Sequence, residues 1–295
     1  MSWSRTGPEG QTAKGMPGGH LATQRREGLM KIVFSECAPH YGAYVFPYQV
    51  WAFLEDGEEA AVAYESGFLP GALDLTRFYL TRSVRVDLKR YVVTGRVRYV
   101  ERRCADIGAE LLDRRDFHWS NAWEKLADGY FDRQEVNADY RRRRFGEMLD
   151  SPFATHVMAF RDRRDGSPAG LVPVFAGPGL AQYGIPVYDA RYRGVSIGNY
   201  MMSSALREFQ GRGLRHCYLG SCYTAGDLYK TRFAGVEIFN GYAWSAARDE
   251  LHFLLDHQDD LAGTHIFEYQ PYVDAFCDAD VASLRSRAIG RFTAA

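Results

Sequence analysis

The chain is expected to fold as an α/β (α+β) protein, a mixed sheet with flanking helices, preceded by a smaller N-terminal α/β module. Three observations predict this. Two strand-like runs, THVMAFRD and LVPVFAG, flank the polar turn RRDGSPAG, where Asp165 and Gly166 suit a hairpin. Residues 187–220 read as a strand ending at Asp189, a Gly-containing basic loop, a helix from about Ile197 to Gln210 and a strand at HCYLG. The chain has 295 residues, 46% hydrophobic and 25% charged, enough to bury a sizeable core.

Residues 1–30 are rich in Gly and polar residues without apolar periodicity, and read as a disordered leader with Met30 a candidate internal start. Folded sequence is expected from KIVFSE onward. The first module, residues 31–110, has no clear pattern in YGAYVFPYQVWAFL, a short helix at 59–66 ended by Gly67, and then RFYLTRSVRVDL and GRVRYVERR. The last two alternate apolar and basic residues, the period of strands with one charged face. Arg82, Arg85, Arg96 and Arg98 are thereby expected on a basic strand surface. Residues 111–270 form the second domain. It begins with helical sequence over 117–149, broken near Gly129 and Asn137, continues through the hairpin, and adds a third strand, AQYGIPVYD. The run GRG at 211–213 stops the following helix. Residues 271–295 read as a C-terminal tail.

A formal net charge of −1 excludes a polyelectrolyte that binds nucleic acid through overall charge. The charge is unevenly placed: from Arg77 to Arg103 nine Lys or Arg face two acids, Asp87 and Glu101, whereas residues 249–260 are acidic. Such asymmetry suits a polyanionic ligand on one face, or a solvated charged surface. The cysteines Cys37, Cys104, Cys217, Cys222 and Cys277 are scattered, with no metal-type spacing. His252, His257 and His265 do not share a helical face, so no metal site is expected. No apolar run reaches the roughly 18 residues of a membrane span, and no signal-peptide core is present. The expected location is cytoplasmic.

The run RYRGVSIG (191–198) sits where a strand opens into a helix. Backbone N–H groups there are unsatisfied and attract anions. Gly194 and Gly198 would admit a phosphate close to the backbone, Arg191 and Arg193 would add charge-assisted contacts, and Ser196 fills a small position.

This loop resembles the pyrophosphate loop of the GNAT acyltransferases, Arg/Gln-x-x-Gly-x-Gly/Ala, with Ser196 at its last position. A longer stretch resembles the arginyl-tRNA–protein transferases within that superfamily. It comprises Tyr188-Asp189, Ser196-Ile197-Gly198-Asn199-Tyr200, Tyr218-Leu219-Gly220 and Tyr229-Lys230-Thr231-Arg232-Phe233, continuing to Glu237, Gly241 and Trp244. Upstream, residues 94–107 are similar to that family's basic run, and Tyr64 with Gly67-Phe68 matches weakly. The family's N-terminal cysteine cluster has no counterpart: Cys37 stands alone, so no iron–sulfur or metal cluster is expected.

The resemblance implies a GNAT-like domain that moves an amino acid from aminoacyl-tRNA to an amine, either a protein N-terminus or a small molecule. Aminoacyl-tRNA is then a co-substrate, with no resident cofactor and no membrane partner. An α-amine of pKa about 7.7–8.0 attacking an activated ester needs positioning and oxyanion stabilisation more than a strong base. A free backbone N–H on the strand ending at Asp189 is the expected oxyanion donor. Asp189 would hold the donor's amino group or a basic side chain, or simply start a turn. Tyr218 and Tyr223 are candidate proton donors, Glu237 a candidate base, and Lys230 and Arg232 candidate ligands of the tRNA 3′ end. Arg96 and Arg98 join them as tRNA contacts, and the arginines at 141–144 offer a helical basic run. Two rivals stand beside this: an acyl-CoA-dependent N-acetyltransferase using acetyl-CoA, and a catalytically silent protein that keeps the fold.

Overall fold

A computed structural model of the chain describes residues 30–38, 40, 42, 47–54, 60–134 and 138–288. The expected leader, apart from Met30, lies outside these residues, as does part of YGAYVFPYQVWAFL. The N-terminal region contains β1 (Lys31–Glu36), β2 (Tyr48–Phe53), α1 (Ala60–Glu65), β3 (Phe68–Pro70) and β4 (Arg77–Leu80). There follow β5 (Ser83–Asp87), α2 (Gly95–Arg103), β6 (Ile107–Asp113), α3 (Asn121–Phe131), α4 (Ala138–Leu149), β7 (His156–Asp162), β8 (Pro168–Gly177), β9 (Leu180–Tyr183) and β10 (Val187–Tyr188). The last part has α5 (Ile197–Gly211), β11 (His216–Ser221), β12 (Val236–Phe239), β13 (Trp244–Ser245), α6 (Arg248–Asp256), α7 (Gln258–Leu261) and α8 (Gln270–Phe276).

The strands make two sheets. A four-stranded antiparallel sheet has the order β1-β2-β4-β3, and α1 precedes its last hairpin. Gly67 ends α1 at φ +89°, and a Cβ there would run into the Phe239 ring, so this stop admits only glycine. The nine-stranded sheet has the order β13-β12-β5-β11-β9-β8-β7-β6, with β10 continuing beside β8. Among the described residues only β9 and β11 pair in parallel, joined through α5. Alternation along β7 separates two cores: Met158 and Phe160 pack with α2, α5, α6 and α8, whereas Val157 and Ala159 pack with α3 and α4. The small sheet joins a third core through Phe78 and Tyr64, which meet Phe175, Leu180 and Tyr218 of the large sheet. This is the expected mixed α/β architecture, a GNAT-like sheet with flanking helices.

Four expectations change. GRVRYVERR is the helix α2, not a strand: Val97, Val100 and Cys104 are buried at a 3–4 spacing, and the alternation over four residues misled. Arg96 and Arg98 therefore sit on an exposed helix face. Arg85 is not on a basic surface, because β5 lies at the centre of the large sheet and is covered on both faces. The run AQYGIPVYD breaks into β9 and β10 at Gly184, Ile185 and Pro186. The expected boundary at 110 cuts the large sheet, since β5 and most of β6 precede it, and the expected tail is packed: Tyr272, Val273, Cys277 and Leu284 are buried in the main core.

Candidate active site

The large sheet splits at its centre. Parallel pairing between β9 and β11 ends at Gln182 opposite Tyr218. Beyond it, β9 gives way to the Gly184–Ile185–Pro186 break and β10 follows β8, through Val187 opposite Leu171. On the other side β11 bulges between Tyr218 and Gly220, the latter at φ +92°, and stays with β5. The two strands diverge because each keeps its outer partner.

A cavity of about 260 Å³ lies at this split. Ile185, Pro186 and Gln182 come from one side, and Leu219, Gly220 and Ser221 from the other. Met202 of α5 reaches it, as do Arg141 and Met148 of α4 and Leu69, Pro70 and Tyr79 of the small sheet. A 3₁₀ turn, Ala225–Thr231, supplies Tyr229 and Lys230.

Three groups at this cavity are unspent. The Ile185 N–H falls in the strand break and donates to no acceptor among the described residues, while its neighbour Gly184 N–H donates to Pro173 O at 3.0 Å. Ile185 lies on the run AQYGIPVYD, which was expected to carry a free backbone N–H. The Tyr183 hydroxyl is buried without a hydrogen-bond partner, and burial pushes its pKa well above the ordinary tyrosine value. Lys230 Nζ donates to Ser221 O at 2.7 Å and Asp227 Oδ1 at 2.8 Å, which leaves one of its three N–H donors. Burial disfavours the Asp227 carboxylate, yet Lys230 and Thr224 hold its pKa below the usual range. Tyr229 is pushed up to about 12, first by burial and then by Asp227. Among the described residues no carboxylate lines the cavity, whereas two cations, Lys230 and Arg141, do. Arg141 Nη1 donates to Gln134 Oε1 at 2.9 Å.

The expected catalytic trio lies elsewhere. Tyr218 is fully buried on β11, and its hydroxyl accepts from Arg85 Nη1 at 3.4 Å. Burial pushes it up to about 12, against the opposing charge of Arg85. Glu237 accepts from Arg85 Nε at 2.8 Å and from Arg90 Nη1 at 3.2 Å, so both its oxygens are engaged. Arg85 also stacks on Trp244, 3.9 Å from the ring centroid. Tyr218 and Glu237 are thus brought together by one buried guanidinium, away from the cavity. Asp189 caps a 3₁₀ turn, Ala190–Val195: its Oδ1 accepts from Arg191 N at 2.8 Å and its Oδ2 from Arg191 Nε at 2.9 Å. Of its two expected roles this is the turn-starting one. Tyr223 is exposed, its hydroxyl accepting from Arg82 N at 2.9 Å.

The loop at 191–198 does stand between a strand and a helix. The left-handed residue is Ser196, at φ +63°, not Gly194 or Gly198, where an added Cβ would meet no closer atom than Tyr188 Cε1 at 3.6 Å. Ile197 and Gly198 N–H, at the start of α5, bond to no acceptor among the described residues. Arg193 is exposed and free of carboxylate partners among the described residues, whereas Arg191 is tied to Asp189. Arg232 and Arg96 meet beside Asn199 and Ser203 of α5, around a hollow of about 20 Å³. Arg98 lies on the same helix as Arg96 and donates to Val93 O at 2.8 Å.

Ile185, Tyr183, Gln182 and Tyr79 were not singled out from sequence. A Gly and a Pro inside a strand-like run were the available signal for Ile185. Tyr79 and Tyr183 reach the cavity from distant parts of the chain, and no spacing rule marks them.

No curated protein sequence matches the chain. Solved structures match distantly. The C-terminal domain of a putative lysylphosphatidylglycerol synthetase from Agrobacterium fabrum has 13% identity and a TM-score of 0.37, over 70% of this chain and 59% of that one. The L-PGS structure from Bacillus licheniformis has 12% identity and a TM-score of 0.36, over 55% and 51%. A GCN5-related N-acetyltransferase from Sphaerobacter thermophilus has 14% identity and a TM-score of 0.32, over 65% and 56%. The chain spans between 51% and 59% of the length of these three. No helix among the described residues is long and apolar enough to cross a membrane. The profile of the acetyltransferase (GNAT) domain matches residues 82–231, from the start of the central sheet to the turn that carries Lys230, and the chain belongs to that family.

Proposed function

We propose that this GNAT-type acyltransferase moves an aminoacyl group from aminoacyl-tRNA to an amine, on a protein N-terminus or a small molecule. The observation that carries the reading is the position of Lys230. Tyr229 and Lys230, within the stretch 187–244 where the resemblance to the arginyl-tRNA–protein transferases is strongest, form a wall of the cavity at the split, where Ile185 has an N–H without an acceptor among the described residues.

In this reading the amine nitrogen attacks the ester carbonyl carbon, and the carbonyl oxygen becomes an oxyanion that accepts from Ile185 N–H. Collapse forms the amide and breaks the bond to the ribose oxygen. The amine's proton is released, and the departing oxygen takes one from the remaining N–H of Lys230, so protons balance when Lys230 recovers it. No carboxylate base lines the cavity among the described residues. Lys230 and Arg141 instead disfavour a second positive charge, which keeps the attacking amine neutral.

The test is single turnover with purified protein, labelled aminoacyl-tRNAs and an amine-bearing peptide, beside a parallel reaction with labelled acetyl-CoA. Label moving from tRNA to peptide supports the reading. Transfer from acetyl-CoA alone overturns it in favour of an ordinary acetyltransferase. That second reading has its own support in the free amides of Ile197 and Gly198 beside exposed Arg193, an arrangement suited to a pyrophosphate.

A further inference from the structure

The helix α2 presents an outward face of arginines. Val97, Val100 and Cys104 turn inward, while Arg96, Arg98, Arg102 and Arg103 are exposed. None of these four has a carboxylate partner among the described residues. The helix's one acid, Glu101, is held by Arg207 of α5 at 2.7 Å. Tyr99 stands exposed among them, with Arg103 5.8 Å from its ring centroid.

The basic run on α4 makes the contrast. Arg142 pairs with Asp128 at 3.3 Å and Asp132 at 2.5 Å, and Arg143 and Arg144 pair with Glu147 at 3.6 Å. Those guanidinium groups are already neutralised and offer a polyanion little. The α2 guanidinium charges have no carboxylate counter-ion among the described residues, and they lead toward the cavity: Arg96 and Arg232 line one small hollow over α5, and Arg232 lies two residues on from Lys230 in the cavity wall.

We propose that the outward face of α2, continued through Arg96 and Arg232 toward Lys230, is the docking surface for the phosphate backbone of an RNA acceptor stem, with its single-stranded 3′ end led into the cavity. This rests on aminoacyl-tRNA being the donor. Arginine suits the role because its planar fork binds phosphate oxygens in pairs. Tyr99 adds a stacking face for an unpaired base.

The experiment is a filter-binding titration of the full chain against tRNA across a range of salt. It compares the parent with Arg98→Ala/Arg102→Ala on α2 and Arg142→Ala/Arg143→Ala on α4, with thermal melts confirming that each is folded. Every arginine–phosphate pairing taken away lowers the slope of log affinity against log salt by about 0.7–0.9. The α2 pair should lower the slope by roughly 1.5, and the α4 pair should leave it in place. Parent binding to tRNA with the same slope in both variants overturns this surface while leaving the donor assignment intact. Saturable acetyl-CoA binding with no tRNA binding by the parent overturns the donor assignment and this surface together. Parent binding to phosphatidylglycerol vesicles that the α2 pair abolishes, without tRNA binding, assigns the face to a membrane surface and overturns the proposal.

Discussion

Two polar clusters flank β11, and they differ in whether their groups are spent. Around Arg85 the charged groups have found one another: Glu237 takes Nε, Tyr218 accepts from Nη1 and Trp244 covers the guanidinium. Around the cavity, Ile185 N–H, the Tyr183 hydroxyl and one N–H of Lys230 have no partner among the described residues. The first arrangement stabilises a fold and the second waits for a ligand. A buried polar group left unpaired costs about 1–3 kcal/mol, so unpaired groups gathered at one cavity mark the place where stability has been given up for binding.

Substitutions should separate the two clusters. The largest effect is expected from Lys230→Met, which removes the ammonium from the cavity wall. The kcat/KM for acyl transfer in the folded fraction should fall by about 10²–10³-fold, the range for removing one hydrogen bond to the oxyanion or leaving group. The urea midpoint should fall as well, because Asp227 loses its counter-ion. A loss of folding with retained specific activity in the folded fraction would reverse the assignment.

Glu237→Gln should do the opposite. It leaves the Arg85 charge buried without its counter-ion, and unfolding in urea should show a loss of about 3 kcal/mol, with kcat/KM within a few-fold of the parent. A large drop in kcat at unchanged stability would restore Glu237 as a base.

A pH effect follows from His216, buried on β11 and opposite Asp87. Burial, then the charges of Arg85 and Arg215, depress its pKa from 6.5 to about 4. Below about pH 6.5 the unfolded chain takes up a proton that the folded chain refuses, so stability is lost as pH falls from 6.5 toward 4. By pH 4.5 this amounts to roughly 2 kcal/mol. His216→Gln should flatten that part of the urea-midpoint profile, and an unchanged profile would show that other groups set it.

The smallest effect is Tyr183→Phe. Removing a buried hydroxyl that bonds to nothing should raise stability by about 1 kcal/mol, while weakening substrate binding a few-fold. Lower stability would mean that the hydroxyl already has a partner in solution, such as an ordered water.

Much of the fold was legible in the chain. The hairpin at Asp165-Gly166, the helix from Ile197 and the strand HCYLG all lie where their patterns put them, because each is local: turn chemistry and periodicity act within a few residues. The helix α2 was misread for a physical reason. Over four residues the helical and strand periods both fit GRVR, and Val100 and Cys104, one and two turns on from Val97, break the tie. The site was legible in part. Lys230 was found through its similarity to known transferases, and the free N–H was expected near Asp189. Tyr218 and Glu237 were expected to be catalytic, and the structure joins both to Arg85, over 130 residues away in sequence, a contact that nothing in their spacing shows.

The sequence by itself determined the GNAT family, the strand–turn–helix unit around residues 191–198 and the excess of cations between residues 77 and 103, because motifs and charge are properties of neighbouring residues. Only the tertiary structure decided which of those cations are spent. Arg85 is drawn to the centre of a covered sheet and must be neutralised there, the α4 arginines meet carboxylates, and the α2 arginines meet none among the described residues. It also decided that β9 and β11 part company at Gln182 and Tyr218, since each strand holds its outer partner more fully than the other, and the cavity is the space this leaves.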